Sequence, residues 1–107
     1  MDLLTLYKCL SEPNRIRILN LLKEGPLCVC QIQQALDEPQ VKMSKHLGYM
    51  KERGLLLSTR KANWSFYEIN WDAHPLVRPN IEGISQSFAE NIDFTKDVKQ
   101  LEDSFCP

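Results

Sequence analysis

The sequence predicts a single, mainly α-helical domain that contains one small β-hairpin. Apolar residues recur at helical spacing over most of the chain, and Gly25-Pro26 and Gly54 divide this pattern into separate helices. The pattern changes to two short β-prone runs between Leu55 and Asn70. With 107 residues, 43% of them hydrophobic and 25% charged, the chain has the length and composition of one compact domain.

Two helices are predicted before Gly25-Pro26. The first carries a short apolar stripe made of Leu3, Leu6, Tyr7 and Leu10. The second begins with Ser11 as its N-cap and has Pro13 in its first turn. Apolar residues cover a wide face of the second helix, which predicts that it is buried: Ile16, Ile18, Leu19, Leu21 and Leu22.

A third and a fourth helix follow as a pair joined by a short turn. The third runs from about Cys28 to Leu36, and the fourth from about Pro39 to Arg53, with Gly54 as its C-cap. The buried stripe of the fourth helix is predicted to be Met43, Leu47 and Met50. Its opposite face is polar and basic.

The hairpin is predicted from the runs Leu55–Arg60 and Trp64–Asn70. Lys61-Ala62-Asn63 joins them, and Asn63 is the residue expected to adopt a positive φ. After the hairpin, a stripe of Ile81, Ile84, Phe88 and Ile92 predicts a longer helix. A break near Asp93 separates it from further apolar positions: Val98, Leu101 and Phe105.

Helix, turn, helix and hairpin in this order form the arrangement of a winged helix-turn-helix. We assign residues 28–53 to the helix-turn-helix and residues 55–70 to the wing. Segments 1–10 and 76–105 lie outside this unit and carry apolar stripes. They pack either on their own core or on a second subunit as dimer helices, and the sequence leaves both arrangements open.

The charge distribution favours a polyanionic partner for one segment of the chain. The formal net charge is −1, but residues 39–61 contain six basic residues and one acid, whereas residues 68–107 contain eight acids and three basic residues. The basic segment coincides with the fourth helix and the hairpin. We therefore expect the fourth helix to enter the major groove of duplex DNA.

The types of side chain on this helix and on the wing suggest individual roles. Gln40 can hydrogen-bond adenine, and Val41 can contact a thymine methyl group. Four cations suit phosphates: Lys42, Lys45, Arg60 and Lys61. The predicted DNA-binding set also includes Ser44, Tyr49 and His46, the last either in packing or in a contact to the DNA backbone.

Cys28 and Cys30 predict thiol chemistry. Residues i and i+2 of a helix lie about 200° apart, so the two sulfurs cannot both face one core. This pattern favours soft-ion binding or thiol redox chemistry over packing. Chelation by an undistorted helix is impossible at this spacing, so we expect ion binding to unwind the first turn of the third helix.

The expected compartment is the cytoplasm. Four cysteines without a secretory signal are typical of reduced thiols, and no apolar run is long enough to span a membrane. An enzyme is not expected, because the sequence has no Gly-rich phosphate loop, paired-carboxylate motif or activated nucleophile, and no catalytic cofactor is expected either.

Four segments together resemble the ArsR/SmtB repressors, and most closely their arsenic-responsive branch. They are Asn14-Arg15-Ile16-Arg17-Ile18-Leu19, Leu27-Cys28-Val29-Cys30, Ser44-Lys45-His46-Leu47 and Gly54-Leu55-Leu56. The resemblance covers about Leu3 to Asn70. It implies a homodimeric winged-helix repressor that leaves its inverted-repeat operator when trivalent arsenic or antimony binds cysteine thiolates.

The chain departs from this branch at the thiol site. The hallmark Glu-Leu-Cys-Val-Cys-Asp-Leu has Glu and Asp where this chain has Pro26 and Gln31, and Gln33 occupies a position that is often a third cysteine. Trivalent arsenic prefers three thiolates, so the resemblance implies a more distant third ligand. Cys106 is favoured over Cys9, because a chain end can reach a site that a helical residue cannot.

Two alternative functions stay open. A thiol redox or persulfide switch on the same fold would use Cys9 or Cys106 as a resolving cysteine. A winged helix that binds proteins without any inducer is the second alternative. The cadmium, lead and zinc branches fit less well, since the chain has only eight residues before Cys9 and no histidine in its last helix.

Overall fold

A computed structural model of the chain describes residues 1–87 and 91–104. Within these ranges the fold contains six helices and three strands. The helices are α1 (Leu3–Cys9), α2 (Pro13–Leu22), α3 (Val29–Leu36), α4 (Gln40–Glu52), α5 (Val77–Ser87) and α6 (Ile92–Asp103); the strands are β1 (Leu27–Cys28), β2 (Leu56–Lys61) and β3 (Trp64–Ile69). The predicted fold class, mainly α with a small β-hairpin, is confirmed.

The second helix starts one residue later than predicted. Glu12, not Ser11, is the N-cap of α2, and its carboxylate accepts a hydrogen bond of 3.0 Å from the Arg15 amide. The Ser11 hydroxyl instead donates to the Lys8 carbonyl at 2.8 Å and closes the end of α1. Pro13 occupies the first turn of α2, as predicted.

A short strand that the sequence analysis did not predict precedes α3. Leu27 and Cys28 form β1, which pairs antiparallel with β3 so that Cys28 lies opposite Phe66 and Leu27 opposite Tyr67. The prediction that the third helix begins at Cys28 is therefore wrong by one residue: Cys28 is the extended N-cap, with φ −83° and ψ 159°. Its amide donates to the Gln31 side chain at 3.0 Å.

The wing is confirmed, with strand ends shifted by one residue. The strands pair up to Lys61 opposite Trp64, which leaves a two-residue loop of Ala62 and Asn63. The positive φ is at Ala62 (54°) and not at Asn63, because pairing places the left-handed conformation at the first loop position. The three strands form one sheet in the order β1-β3-β2.

The buried face of α4 is the predicted one. Met43, Leu47 and Met50 are all fully buried. Helix α4 ends at Glu52 and its C-cap is Arg53, one residue before the predicted Gly54, whose φ of 89° favours glycine. The Leu55 amide returns to the Met50 carbonyl at 3.0 Å, which turns the chain into the wing. Side chains from the other elements complete the core, including Leu6, Ile18, Leu19, Leu22, Ile32, Leu36, Leu56, Ile69, Val77 and Ile81.

The break between the last two helices lies earlier than predicted, because α5 ends at Ser87 and both Ile92 and Asp93 belong to α6. Asn91 is the N-cap of α6, and its side chain accepts hydrogen bonds from the amides of Asp93 and Phe94. Helix α6 packs on α2 and α3 of the same chain, whereas α5 packs on α2. Phe88 and Phe105 lie outside the described residues.

A buried ion pair joins α6 to the helix-turn-helix. Arg17 of α2 donates two hydrogen bonds to the Asp97 carboxylate, at 2.9 and 2.7 Å, and a third to the Leu36 carbonyl at 3.2 Å. Asp97 is completely buried. Because these bonds favour the charged guanidinium, they raise the pKa of Arg17. The pair thus fixes α6 against the end of α3.

Among the described residues, none of the helices combines the length and the apolar character that crossing a membrane requires.

Candidate DNA-binding surface and thiol site

The first two turns of α4 present to solvent a surface that is polar and basic apart from Val41. Five of the predicted DNA-binding residues are exposed there: Gln40, Val41, Lys42, Ser44 and Lys45. Val41 is 70% exposed, although it is apolar. A helix that is exposed on this face and anchored by three buried side chains on the other has the geometry needed to enter a major groove.

Lys42 already has a partner within the chain. Its ammonium group lies 3.4 Å from the Glu38 carboxylate, one helical turn earlier, and about half of its side chain is exposed. Such exposed pairs contribute little to stability, so Lys42 can exchange Glu38 for a phosphate at low cost.

His46 faces α2 and not the outer surface of α4. Its Nε2 atom lies 3.5 Å from the Glu12 carboxylate at the start of α2, and its side chain is 17% exposed. Burial lowers the pKa of His46, and Glu12 partly opposes that shift. Of the two roles that the sequence analysis left open, the geometry favours packing.

Acidification is expected to destabilise the fold through His46. Because the pKa is lower in the folded state, the unfolded chain binds the proton more readily, and stability falls as the pH falls through the unfolded value, near 6.5. Thermal melting of the parent and of His46→Gln, from about pH 7.5 to about pH 5.5, measures this contribution. His46→Gln should show a weaker pH dependence, whereas the control His74→Gln should keep that of the parent. Equal pH dependence in all three proteins would contradict the assignment.

Tyr49 is held by two arginines. The guanidinium carbon of Arg15 lies over the Tyr49 ring at 4.3 Å from its centre, and that of Arg53 at 3.4 Å. The Tyr49 ring is partly buried and packs against the core. It therefore makes intramolecular contacts that the sequence analysis did not anticipate.

The wing carries its basic residues at its end. Arg60 and Lys61 are both exposed, beside the loop of Ala62 and Asn63. Because Leu56 and Ile69 are buried and side chains alternate along a strand, the other face of the hairpin points outward. Two apolar residues on that face, Leu57 (46% exposed) and Trp64 (36%), were missed as candidate contacts, although strand alternation in the sequence could have identified them.

The two sulfur atoms of the Cys-x-Cys pair are in contact. The Sγ atoms of Cys28 and Cys30 are 2.8 Å apart. The prediction that the sulfurs lie on opposite sides of a helix is wrong, because Cys28 is extended in β1 and only Cys30 belongs to α3. Cys28 is buried and Cys30 is partly exposed, so the pair lies close to the protein surface.

The two candidates for a third ligand differ. Cys9 is fully buried in the core on α1, and this burial raises the pKa of its thiol. Cys106 lies outside the described residues. Within the described ranges, no cluster of three or more histidine, cysteine or acidic side chains is arranged to hold a metal ion.

Comparison with known proteins gives a family match over the centre of the chain. The family described as "Bacterial regulatory protein, arsR family" matches residues 12–58, from the N-cap of α2 into β2. The arsenic resistance transcriptional regulator ArsR2 of Pseudomonas putida is 33% identical over 108 residues, which cover 94% of this chain and 93% of that protein. The arsenical resistance operon repressor of Escherichia coli is 42% identical over 66 residues, but these span only 61% of this chain and 56% of the repressor.

Solved structures resemble this fold over most of its length. The antimony-specific transcriptional repressor AntR has a TM-score of 0.69 and 27% identity, covering 81% of this chain and 77% of AntR. A homodimeric winged helix-turn-helix DNA-binding domain from Mycobacterium bovis, a possible ArsR-family regulator, has a TM-score of 0.65 and 25% identity, covering 82% and 79%. The winged helix-turn-helix architecture predicted from the order of elements is thereby confirmed.

Proposed function

The chain belongs to the arsR family of bacterial regulatory proteins, which are transcriptional regulators and not enzymes, and on this premise we propose a specific repressor function. It binds an inverted-repeat operator in duplex DNA as a homodimer, in the cytoplasm. It leaves that operator when trivalent arsenic or antimony binds Cys28 and Cys30. Regulators of arsenic resistance among its relatives and the antimony-specific AntR support this choice of inducer.

The exposed face of α4 is the observation that carries DNA binding. Its first two turns have no acidic residue and combine groups that read bases, Gln40 and Val41, with the cation Lys45. Arg60 and Lys61 extend the positive charge onto the wing. Phosphate contacts from these cations position the helix, and contacts to base edges add sequence specificity.

Dimerisation is supported by apolar side chains that remain uncovered on α1. Leu3 is 37% exposed, Leu4 73% and Tyr7 43%, and Leu76 before α5 is 37% exposed. Burying them against a second copy would remove this surface from water and stabilise both subunits. The homodimeric domain from M. bovis supports the same assembly. We therefore propose α1, together with residues from the 76–105 segment, as the dimer contact.

Salt dependence tests the DNA-binding part of the proposal. Lys45→Ala and Arg60→Ala are each expected to lower the slope of log affinity against log salt concentration by about 0.9, since each removes one phosphate contact. Fluorescence anisotropy of a labelled duplex, titrated at several salt concentrations, measures that slope. Lys23→Ala, which removes a cation at the C-cap of α2 and so from neither proposed contact, is the control and should leave the slope unchanged. A parent protein with no salt-dependent DNA affinity would refute the proposal.

The thiol pair fits a soft trivalent ion. Sulfurs about 3.5 Å apart can share one ion with bonds near 2.3 Å, and the 2.8 Å separation of Cys28 and Cys30 requires only a small adjustment to reach that value. When bound, trivalent arsenic or antimony replaces thiol protons with bonds to sulfur. A third thiolate would complete its preferred set. We propose Cys106 for that role ahead of Cys9, whose burial and raised thiol pKa oppose ligation.

The position of the two thiols connects them to both DNA-binding elements. Cys28 belongs to β1, which is paired with strand β3 of the wing, and Cys30 lies in the first turn of α3, which packs on α4. The contact between the sulfurs makes unwinding of α3 unnecessary. We propose instead that ligation shifts the junction of β1 and α3, so that the wing and the recognition helix move relative to each other.

A thiol redox switch is the second candidate function, and the same contact favours it. A disulfide between residues i and i+2 of one helix would be strained, but Cys28 lies outside α3. Oxidation by a peroxide would take one hydrogen from each thiol and release water as the sulfurs join. Release of DNA by peroxide but not by arsenite would identify this function.

A further inference from the structure

The cluster around Tyr49 suggests a role that differs from the predicted DNA contact. Tyr49 lies eight positions after Val41 on α4, about 12 Å further along the helix at 1.5 Å per residue. Recognition helices place their N-terminal residues against base edges. The Tyr49 ring already has the guanidinium groups of Arg15 and Arg53 over it, at 4.3 and 3.4 Å.

The first of these arginines is anchored to α1. Arg15 donates to the Cys9 carbonyl at 3.0 Å and to the Lys8 carbonyl at 2.8 Å, the last carbonyls of that helix. These hydrogen bonds fix its guanidinium plane between the end of α1 and the side of α4. Arg15 of α2 therefore links the Tyr49 ring on α4 to the end of α1.

The second arginine fixes the other side of the contact. Arg53, the C-cap of α4, donates to the Tyr49 carbonyl at 3.0 Å while its guanidinium stacks on the ring of the same residue. A planar cation held over an aromatic ring resists rotation of that ring. Both arginines therefore hold Tyr49 in one orientation.

We infer that Tyr49 is a positioning residue that sets the angle of the recognition helix relative to the dimer contact. The inference rests on the proposed function, in which α1 joins the two subunits through Leu3, Leu4 and Tyr7. In such a dimer, the orientation of α4 against α1 determines the distance between the two recognition helices. That distance must match the spacing of the half-sites.

Comparing a full site with a half-site tests this inference. The probes are a labelled inverted-repeat duplex, selected by the parent protein from a randomised pool, and the same duplex with one half scrambled. Tyr49→Leu removes the aromatic ring and is expected to weaken binding to the full repeat by about tenfold and to the half-site by less than about twofold. Tyr49→Phe keeps the ring and should restore binding to the parent level.

Two further variants make the result decisive. Lys45→Ala, at a proposed phosphate contact, should weaken binding to both duplexes alike. Arg53→Lys keeps the charge but loses the planar stack on the Tyr49 ring, so it should also weaken binding to the full repeat, by less than Tyr49→Leu does. This variant still tests the inference if Tyr49→Leu fails to fold. Circular dichroism establishes that each variant is folded.

Equal losses of Tyr49→Leu on both duplexes would overturn the inference, because they would indicate direct contact with DNA. The same holds if Tyr49→Phe is as weak as Tyr49→Leu, since the hydroxyl would then be the essential group. A parent protein that binds neither duplex would overturn the proposed function itself, and this inference with it. The parent binding therefore separates the two failures.

Discussion

Cys28→Ser and Cys30→Ser are each expected to impair the release of DNA by arsenite strongly. Each substitution removes one of two sulfurs that lie 2.8 Å apart and leaves a hydroxyl, which is a poor ligand for a soft ion. Removing a residue that only hydrogen-bonds to a metal ligand typically lowers metal affinity 10- to 100-fold. Removing a ligand itself should therefore raise the half-maximal arsenite concentration by at least about 100-fold. Anisotropy of a labelled duplex, titrated with arsenite and then with antimonite, measures this concentration.

Parallel variants of the other cysteines identify the third ligand. Cys106→Ser should also impair release, whereas Cys9→Ala, in the fully buried core position, should respond as the parent does. DNA affinity measured before arsenite is added separates loss of the response from loss of binding. If the Cys28→Ser and Cys30→Ser proteins were released from DNA at the same arsenite concentration as the parent, the thiol pair would not be the sensor. A peroxide titration on the same proteins tests the redox alternative.

Replacing Asp97 by alanine is expected to cause a large loss of stability. Asp97 is completely buried and accepts two hydrogen bonds from Arg17, whose side chain is 15% exposed. Without Asp97, the mostly buried Arg17 guanidinium keeps its 3.9 Å contact to Glu38 but loses its two short charged hydrogen bonds, and breaking a buried pair in this way costs about 3 kcal/mol. For a domain of this size that corresponds to a decrease in melting temperature on the order of 10–20 °C. Thermal melting followed by circular dichroism measures it.

Two controls isolate the ion pair. Glu102→Ala removes an exposed carboxylate from the same helix and should change the melting temperature little. The double variant Arg17→Met with Asp97→Leu removes both charges and should regain much of the lost stability, because no unpaired charge remains buried. If Asp97→Ala had the same melting temperature as the parent, α6 would not be held by this ion pair.

Helix α4 illustrates what could be predicted from local sequence. The spacing of Met43, Leu47 and Met50 identified its buried face, and Gly54 identified its end, because both signals depend on residues within a few positions of each other. The basic outer face followed from the same geometry. The predicted exposure of Gln40, Val41 and Lys45 was therefore correct.

The contacts of His46 and Tyr49 could not be predicted from the sequence of α4 alone. Both lie on the flanks of the helix, where periodicity does not decide between a contact to DNA and a contact within the chain. Glu12, which contacts His46, and Arg15, which contacts Tyr49, lie at the start of α2. Only the packing of α2 against α4 brings them together.

For the thiol pair, the local sequence identified the two cysteines, whereas the tertiary structure determined their arrangement. From its own residues, the chain specified a helical domain with a wing, a basic recognition helix and two cysteines suited to soft-ion chemistry. Whether Cys28 is helical was decided by β3, a strand distant in sequence whose backbone groups pair with β1. Two residues are too few to show strand alternation, so this pairing left no signal in the sequence. The tertiary hydrogen bonds extend Cys28, and that extension is what brings its sulfur to the sulfur of Cys30.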